Sequence, residues 1–142
     1  MRYAVILNNQ FDLVTQINAA GHLGIGMGRL LKPEETALRR FVDSNRSFTS
    51  LLTDSPLIIF SAKNDRHLFK AHKAAAELQV TSNAFFECHL SADPTEQARQ
   101  VRNQPMGDQV YIALMLHGED NLMRACTKRF SLMKSSKELE TV

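Results

Sequence analysis

Leu13 to Leu31, LVTQINAAGHLGIGMGRLL, is the stretch whose reading decides the fold. On a wheel of about 100° per residue, Leu13, Ile17, Ala20, Gly21, Gly24, Met27, Gly28 and Leu31 share one broad face. Ala19, Leu23 and Leu30 widen it on one flank, Val14 and Ile25 on the other. The remaining arc is narrow and holds Thr15, Asn18, His22, Gly26 and Arg29. A helix apolar over most of its circumference reads as buried on several sides. Each interior glycine costs about 1 kcal/mol relative to alanine, so Gly21, Gly24 and Gly28 call for an offsetting contact. The expectation is that they let the helix axis settle close to a β-sheet, where dispersion contacts make good the loss.

A dinucleotide-binding reading of the same glycines fails on position. Such a fingerprint follows a strand directly and opens the helix. Here Gly24, Gly26 and Gly28 lie well inside the helical pattern, and Asn9 to Asp12 is the strand-to-helix turn. No Gly-Lys-Ser/Thr ending is present. Helix packing is therefore preferred over nucleotide binding through these glycines.

Working outward, Tyr3–Leu7 (YAVIL) is an unbroken apolar run that suits a strand buried on both faces. Lys32-Pro33 ends the helix, because proline cannot continue it. Residues 33–55 read as irregular, with a small hairpin around Asp43-Ser44-Asn45 as an option. Leu57–Ala62 is a second strand, and Asn64 or Asp65 caps a helix over Arg66–Leu78. Ala84–Leu90 is a third strand, and Asp93-Pro94 opens a mostly polar helix that reaches about Asn103. Gln109–Leu116 is a fourth, central strand, Glu119 to about Arg129 a last helix, and Phe130–Met133 a short edge strand. Strands alternating with helices argue for a layered α/β domain over residues 1–133 with a mainly parallel sheet. Residues 134–142 form a charged tail expected to fray.

Bulk composition narrows the function classes. The chain has 142 residues, 44% apolar and 23% charged, which suits one soluble globular domain with a real core. A net charge of +2 does not argue for nucleic acid without clustering. Cys88 and Cys126 supply neither a disulfide framework nor zinc spacing, and no metal or cofactor is expected. No apolar run approaches membrane-spanning length and the start lacks a signal-peptide pattern, so the expectation is a cytoplasmic protein without a membrane partner.

In parallel α/β sheets ligands gather beyond the carboxyl ends of strands. Those ends carry Asn8, Asn9 and Asp12, then Lys63, Asn64 and Asp65, then His89, and finally His117 unless its strand runs antiparallel. Turns are polar in any case, which accounts for any single member of this set. His22, Asn18 and Thr15 align at spacings of three and four along the helix's polar arc. A histidine there can act as an acid/base group or a ligand contact, or simply satisfy a backbone group. The candidate ligand-binding set is Asn9, Asn18, His22, Lys63, Asn64 and His89, with His22 as a weak catalytic candidate. Cys88 and His89, adjacent on a strand, would point to opposite faces and form no nucleophile–base pair. The basic groups Arg66/Lys70/Lys73 and Arg124/Lys128/Arg129 lack interleaved aromatics and read as solvated helix faces.

Several segments together resemble a known family: Ile17-Asn18-Ala19-Ala20 with His22-Leu23-Gly24, Pro56-Leu57-Ile58-Ile59 with Ala62-Lys63-Asn64, and Thr127 to Met133 (TKRFSLM). They are similar to an uncharacterised bacterial family thought to share the fold of type-II peptidyl-tRNA hydrolase, and the likeness spans Tyr3 to Met133. The resemblance implies a three-layer α/β/α fold, with a small mixed, mainly parallel four-stranded sheet and helices on both faces. The hydrolase carries a Gly-Lys pair at the start of its first helix, an Ala-Gln pair before a His-Ala, and an Asp-Ala-Gly-Arg-Thr-Gln string between its last two main strands. Aligned on His22, this chain has Thr15 in place of the lysine and Ala19 in place of the glutamine, and residues 91–108 lack the string. Threonine cannot supply the cationic charge that would meet a phosphate or developing oxyanion. The resemblance therefore carries the fold further than the activity, and only His22 transfers. The leading expectation is a cleft by the first helix that binds a small polar or nucleotide-like ligand. A competing one is a hydrolase of the ester of peptidyl- or aminoacyl-tRNA, with His22, Lys63 or His89 replacing the lysine. A third is a self-associating homodimer that uses an exposed helix or sheet edge.

Overall fold

The computed structural model describes residues 1–134. In chain order its elements are β1 (Arg2–Asn8), α1 (Leu13–Leu30), α2 (Pro33–Thr36), β2 (Leu38–Val42), β3 (Phe48–Thr53), β4 (Leu57–Ala62) and α3 (Asp65–Glu77). There follow β5 (Thr81–Phe86), α4 (Pro94–Asn103), β6 (Tyr111–Gly118), α5 (Asp120–Thr127) and β7 (Ser131–Leu132). Two short 3-10 turns, Glu87–Leu90 and Met106–Asp108, flank α4. The charged tail lies, from residue 135 on, outside the described residues.

The unbroken apolar runs of β1 and β6 take the middle of the sheet, whose order is β5-β6-β1-β4-β7. β1 and β4 run parallel, Tyr3 opposite Leu57 and Asn8 opposite Ala62. β6 is antiparallel to both β1 and β5, and β7 is antiparallel to β4. Two expectations are corrected here. The sheet has five strands rather than four, and three of its four neighbouring pairs are antiparallel, so it is mixed but not mainly parallel. The reason lies in α4, which buries none of its residues. It does not cross over the sheet; the chain leaves β5 and re-enters as β6 at the same end, a return that antiparallel pairing accommodates. The segment expected to be irregular forms a separate hairpin of β2 and β3, its turn held by Asp43 Oδ1 accepting the N–H groups of Asn45 and Ser47, each at 2.9 Å.

Helices cover both faces of the sheet. On one side α3 (Leu68, Ala71, Ala75) and α5 (Met123, Cys126) pack on Ala4, Ile6, Leu114 and Leu116. On the other, α1 packs Ala19, Leu23 and Met27 on Val5, Leu7, Ala113 and Met115. Asp12 caps α1 by accepting the Thr15 N–H at 2.7 Å.

The glycine expectation is overturned. A Cβ added at Gly21, Gly24 or Gly28 would meet nothing within 4 Å, so these residues make no close approach to the sheet. Leu13, Val14, Ile17 and Ile25 point outward, at 58, 77, 60 and 81% exposure. Burying a leucine or methionine gains roughly 2 kcal/mol and burying a glycine gains almost nothing, so the Ala19–Leu23–Met27 stripe wins the sheet. Gln16 joins that stripe because its Nε2 donates to the Phe11 carbonyl at 2.7 Å. Gly26 is the glycine in contact, 2.8 Å from Asn83 Nδ2 if it carried a Cβ. The layered architecture holds without any help from Gly21, Gly24 and Gly28.

The third strand is also shifted. It runs over Thr81–Phe86 instead of Ala84–Leu90, and residues 87–90 coil into a 3-10 turn. A register irregularity between Phe85 and Phe86 ends the pairing, and His89 Nδ1 closes the turn by accepting the Phe86 N–H at 2.9 Å. Cys88 and His89 are thus not neighbours on a strand. His117, on antiparallel β6, leaves the carboxyl edge and is buried against Tyr3, with ring centroids 4.5 Å apart.

Candidate functional site

Two groups of the candidate residues separate in space. Asn9, Lys63 and Asn64 sit at the carboxyl ends of the parallel pair β1 and β4, where the Asn9 N–H donates to the Ala62 carbonyl at 2.9 Å. Asn64 caps α3, its side-chain oxygen accepting the His67 N–H at 3.0 Å. That oxygen is thereby engaged in holding the helix. His22 and His89 lie elsewhere, beside edge strand β5, and both line a cavity of about 300 Å³ with Gly26, Asn83, Phe85 and Gln97. Strand β5 is separated from β4 by β6 and β1, a distance of roughly 14 Å across the sheet. Asn18 is exposed on α1 one turn before His22 and lines neither this cavity nor its neighbour.

The cavity mixes polar side chains (His22, Asn83, His89, Gln97) with the apolar Leu23, Ala84 and Phe85. His22 approaches Phe85 with centroids 5.7 Å apart, and His89 stacks on Phe86 at 5.5 Å with planes 16° apart. Asn83 is oriented by its Nδ2 donating to the Leu23 carbonyl at 3.1 Å, which leaves its oxygen as a fixed acceptor. Because His89 Nδ1 accepts the Phe86 N–H, the proton of the neutral ring belongs on Nε2. Burial first, and the neighbouring His22 second, hold the His89 pKa below the ordinary 6.5. At neutral pH His89 is therefore an uncharged donor of defined orientation.

A second cavity of about 480 Å³ continues along the β5 edge, sharing Asn83, Ala84 and His89 with the first and adding His72, Gln104 and Gln109. His72 Nδ1 lies 2.7 Å from the Tyr111 hydroxyl. Burial lowers the His72 pKa and raises that of Tyr111, so the contact joins a neutral imidazole and a protonated phenol. The sequence reading missed Asn83, His72 and Tyr111. Asn83 falls just ahead of the strand read from the sequence over Ala84–Leu90, yet an edge strand tolerates polar residues such as those of Thr81-Ser82-Asn83.

Cys88 Sγ has Gln109 Oε1 at 3.8 Å as its partner, and burial raises its pKa, so it is not an activated thiolate. Among the described residues no three His, Cys, Asp or Glu side chains gather closely enough to hold a metal ion, and no helix is long and apolar enough to cross a membrane.

The whole is a mixed α/β sheet, helices on both faces, with a histidine- and amide-lined groove along one edge strand. Residues 1–134 match the family model described as "Protein of unknown function (DUF2000)", and the chain belongs to that family. Among solved structures, it is similar to a protein of unknown function from Agrobacterium tumefaciens strain C58, with a TM-score of 0.82 and 16% identity over 94% of this chain and 97% of that one. At that identity the likeness shows the fold alone. No curated protein matches the chain.

Proposed function

We propose that the groove between α1, β5 and α4 binds a small, planar, polar ligand of nucleobase or nucleoside type, without turning it over. The observation that carries this reading is the convergence of His22, Asn83 and His89 on one opening of about 300 Å³, close to the lower bound of ligand pockets. Neutral imidazoles and side-chain amides match the mixed donors and acceptors of a base edge, and the half-buried His89 ring, backed by Phe86, offers a surface for stacking. The resemblance to the type-II peptidyl-tRNA hydrolase fold supports a nucleotide-like ligand. Thr15 in place of the lysine argues against ester hydrolysis. We read the chain as a bacterial cytoplasmic protein, in keeping with that resemblance.

The test is heteronuclear NMR titration of the intact chain with adenosine, guanosine, cytidine, uridine and their monophosphates. Saturable shifts confined to His22, Asn83 and His89, weakened at least tenfold in His89→Ala, are expected. No saturable shift from any of these at millimolar concentration would end the reading. Turnover of peptidyl-tRNA that is lost in His22→Ala would replace it with the hydrolase.

A further inference from the structure

The α1 side of the sheet is only half covered. The helix lies over β5, β6 and β1, and β4 beside it keeps Leu57 and Ile59 at 52 and 43% exposure. Facing this gap, Gly24 and Gly28 of α1 form one wall of an apolar cavity of about 240 Å³, with Leu57 on its floor and Leu38 and Leu52 of the hairpin opposite. From Leu13 to Gly28 the helix carries no Asp, Glu, Lys or Arg, although half its surface faces outward. A solvated helix face of a monomer is ordinarily charged.

We propose that a second copy of this chain covers the face, the two α1 helices packing antiparallel about a two-fold axis. A two-fold interface must be self-complementary, and this helix is. An antiparallel register centred between Ala20 and Gly21 sets Leu13 against Gly28 of the partner subunit and Ile17 against Gly24 of the partner subunit. Each bulky side chain meets a position with no Cβ, and the glycines supply the close approach that a bulkier face forbids. Antiparallel alignment also opposes the helix dipoles. Leu13 and Ile17 of α1, with Leu38, Leu52 and Leu57 beside them, stand 51 to 60% exposed and supply the apolar centre that such an interface buries. His22 points away from the centre of this face, so the dimer and the ligand groove are tested separately.

Sedimentation equilibrium of the full chain, from micromolar to near-millimolar concentration, tests the proposal. The expected mass at the upper end is twice the chain's 16.0 kDa. Ile17→Arg and Gly24→Leu, both at open positions of the single chain, are each expected to weaken association at least tenfold without lowering the melting temperature of the dilute protein. A single-chain mass at every concentration overturns the proposal. So does a dimer that survives both substitutions, because it would use another surface.

Discussion

On the face of the sheet covered by α3 and α5, nearly every large apolar side chain is buried; on the face covered by α1, the helix itself turns Leu13, Val14, Ile17 and Ile25 outward. Both helix layers obey the same rule, that the stripe with the most apolar volume goes to the sheet. They differ because α3 has one such stripe and α1 has apolar residues around most of its circumference. α3 leaves Arg66, Lys70, Lys73 and Glu77 for solvent, and its burial is fully decided by Leu68, Ala71 and Ala75. α1 has an apolar surplus, and the surplus is what remains visible. That surplus is the ground for the proposed pairing of two copies.

This contrast can be broken by substitution, and the largest effect belongs to the closed layer. Leu114→Ala, at a fully buried position in the core shared with α3, is expected to cost about 3 kcal/mol in urea unfolding, whereas Ile25→Ala on the outer face of α1 stays within about 0.5 kcal/mol. Equal costs would mean that the outer face is buried in the single chain. Next come the glycines. Gly24→Ala and Gly28→Ala, measured in dilute protein, are each expected to stabilise by about 1 kcal/mol, since a Cβ meets nothing there. Gly26→Ala sharpens the comparison, because its Cβ would displace the Asn83 amide and its bond to the Leu23 carbonyl. The lost hydrogen bond of about 1 kcal/mol offsets the helical gain, leaving no net stabilisation, and Asn83 shifts are expected in the NMR spectrum. A stabilisation equal to that of Gly24→Ala would show the contact to be unimportant.

The smallest effect is a gradual one with pH. His72, His89 and His117 all titrate below the ordinary 6.5 in the folded chain, with burial as the first cause in each case. In this window the unfolded chain binds more protons than the folded one, so stability falls as pH drops from about 6.5 through the lower folded values. Thermal melts at about pH 7.5 and 5.5 are expected to show the lower midpoint at the acidic value. An unchanged midpoint would mean that the rings ionise freely in the fold.

Much of the fold was legible because its signals are local. The YAVIL run, the Pro33 stop, the Asn64 and Asp93 caps and the QVYIALML run each name an element through neighbouring residues. Strand direction was not legible, since a strand–helix–strand pattern reads alike whether the helix crosses the sheet or stays at one end. The polar EQARQVRN of α4, with nothing to bury, was the available clue. The candidate site was legible in part. His22 and His89 do meet at one opening, yet neither the edge placement of β5 nor the inward position of Asn83 follows from local spacing.

By itself, the sequence determined the kind of most of the elements, a helix beginning at Leu13, and the absence of charge from Leu13 to Gly28. Only the tertiary structure decided which side of that helix meets the sheet. Hydrophobic burial is a competition among faces for a limited area, and Gln16, Ala19, Leu23 and Met27 won it through contacts with strands far away in the chain. Gly21, Gly24 and Gly28 were left exposed for the same reason.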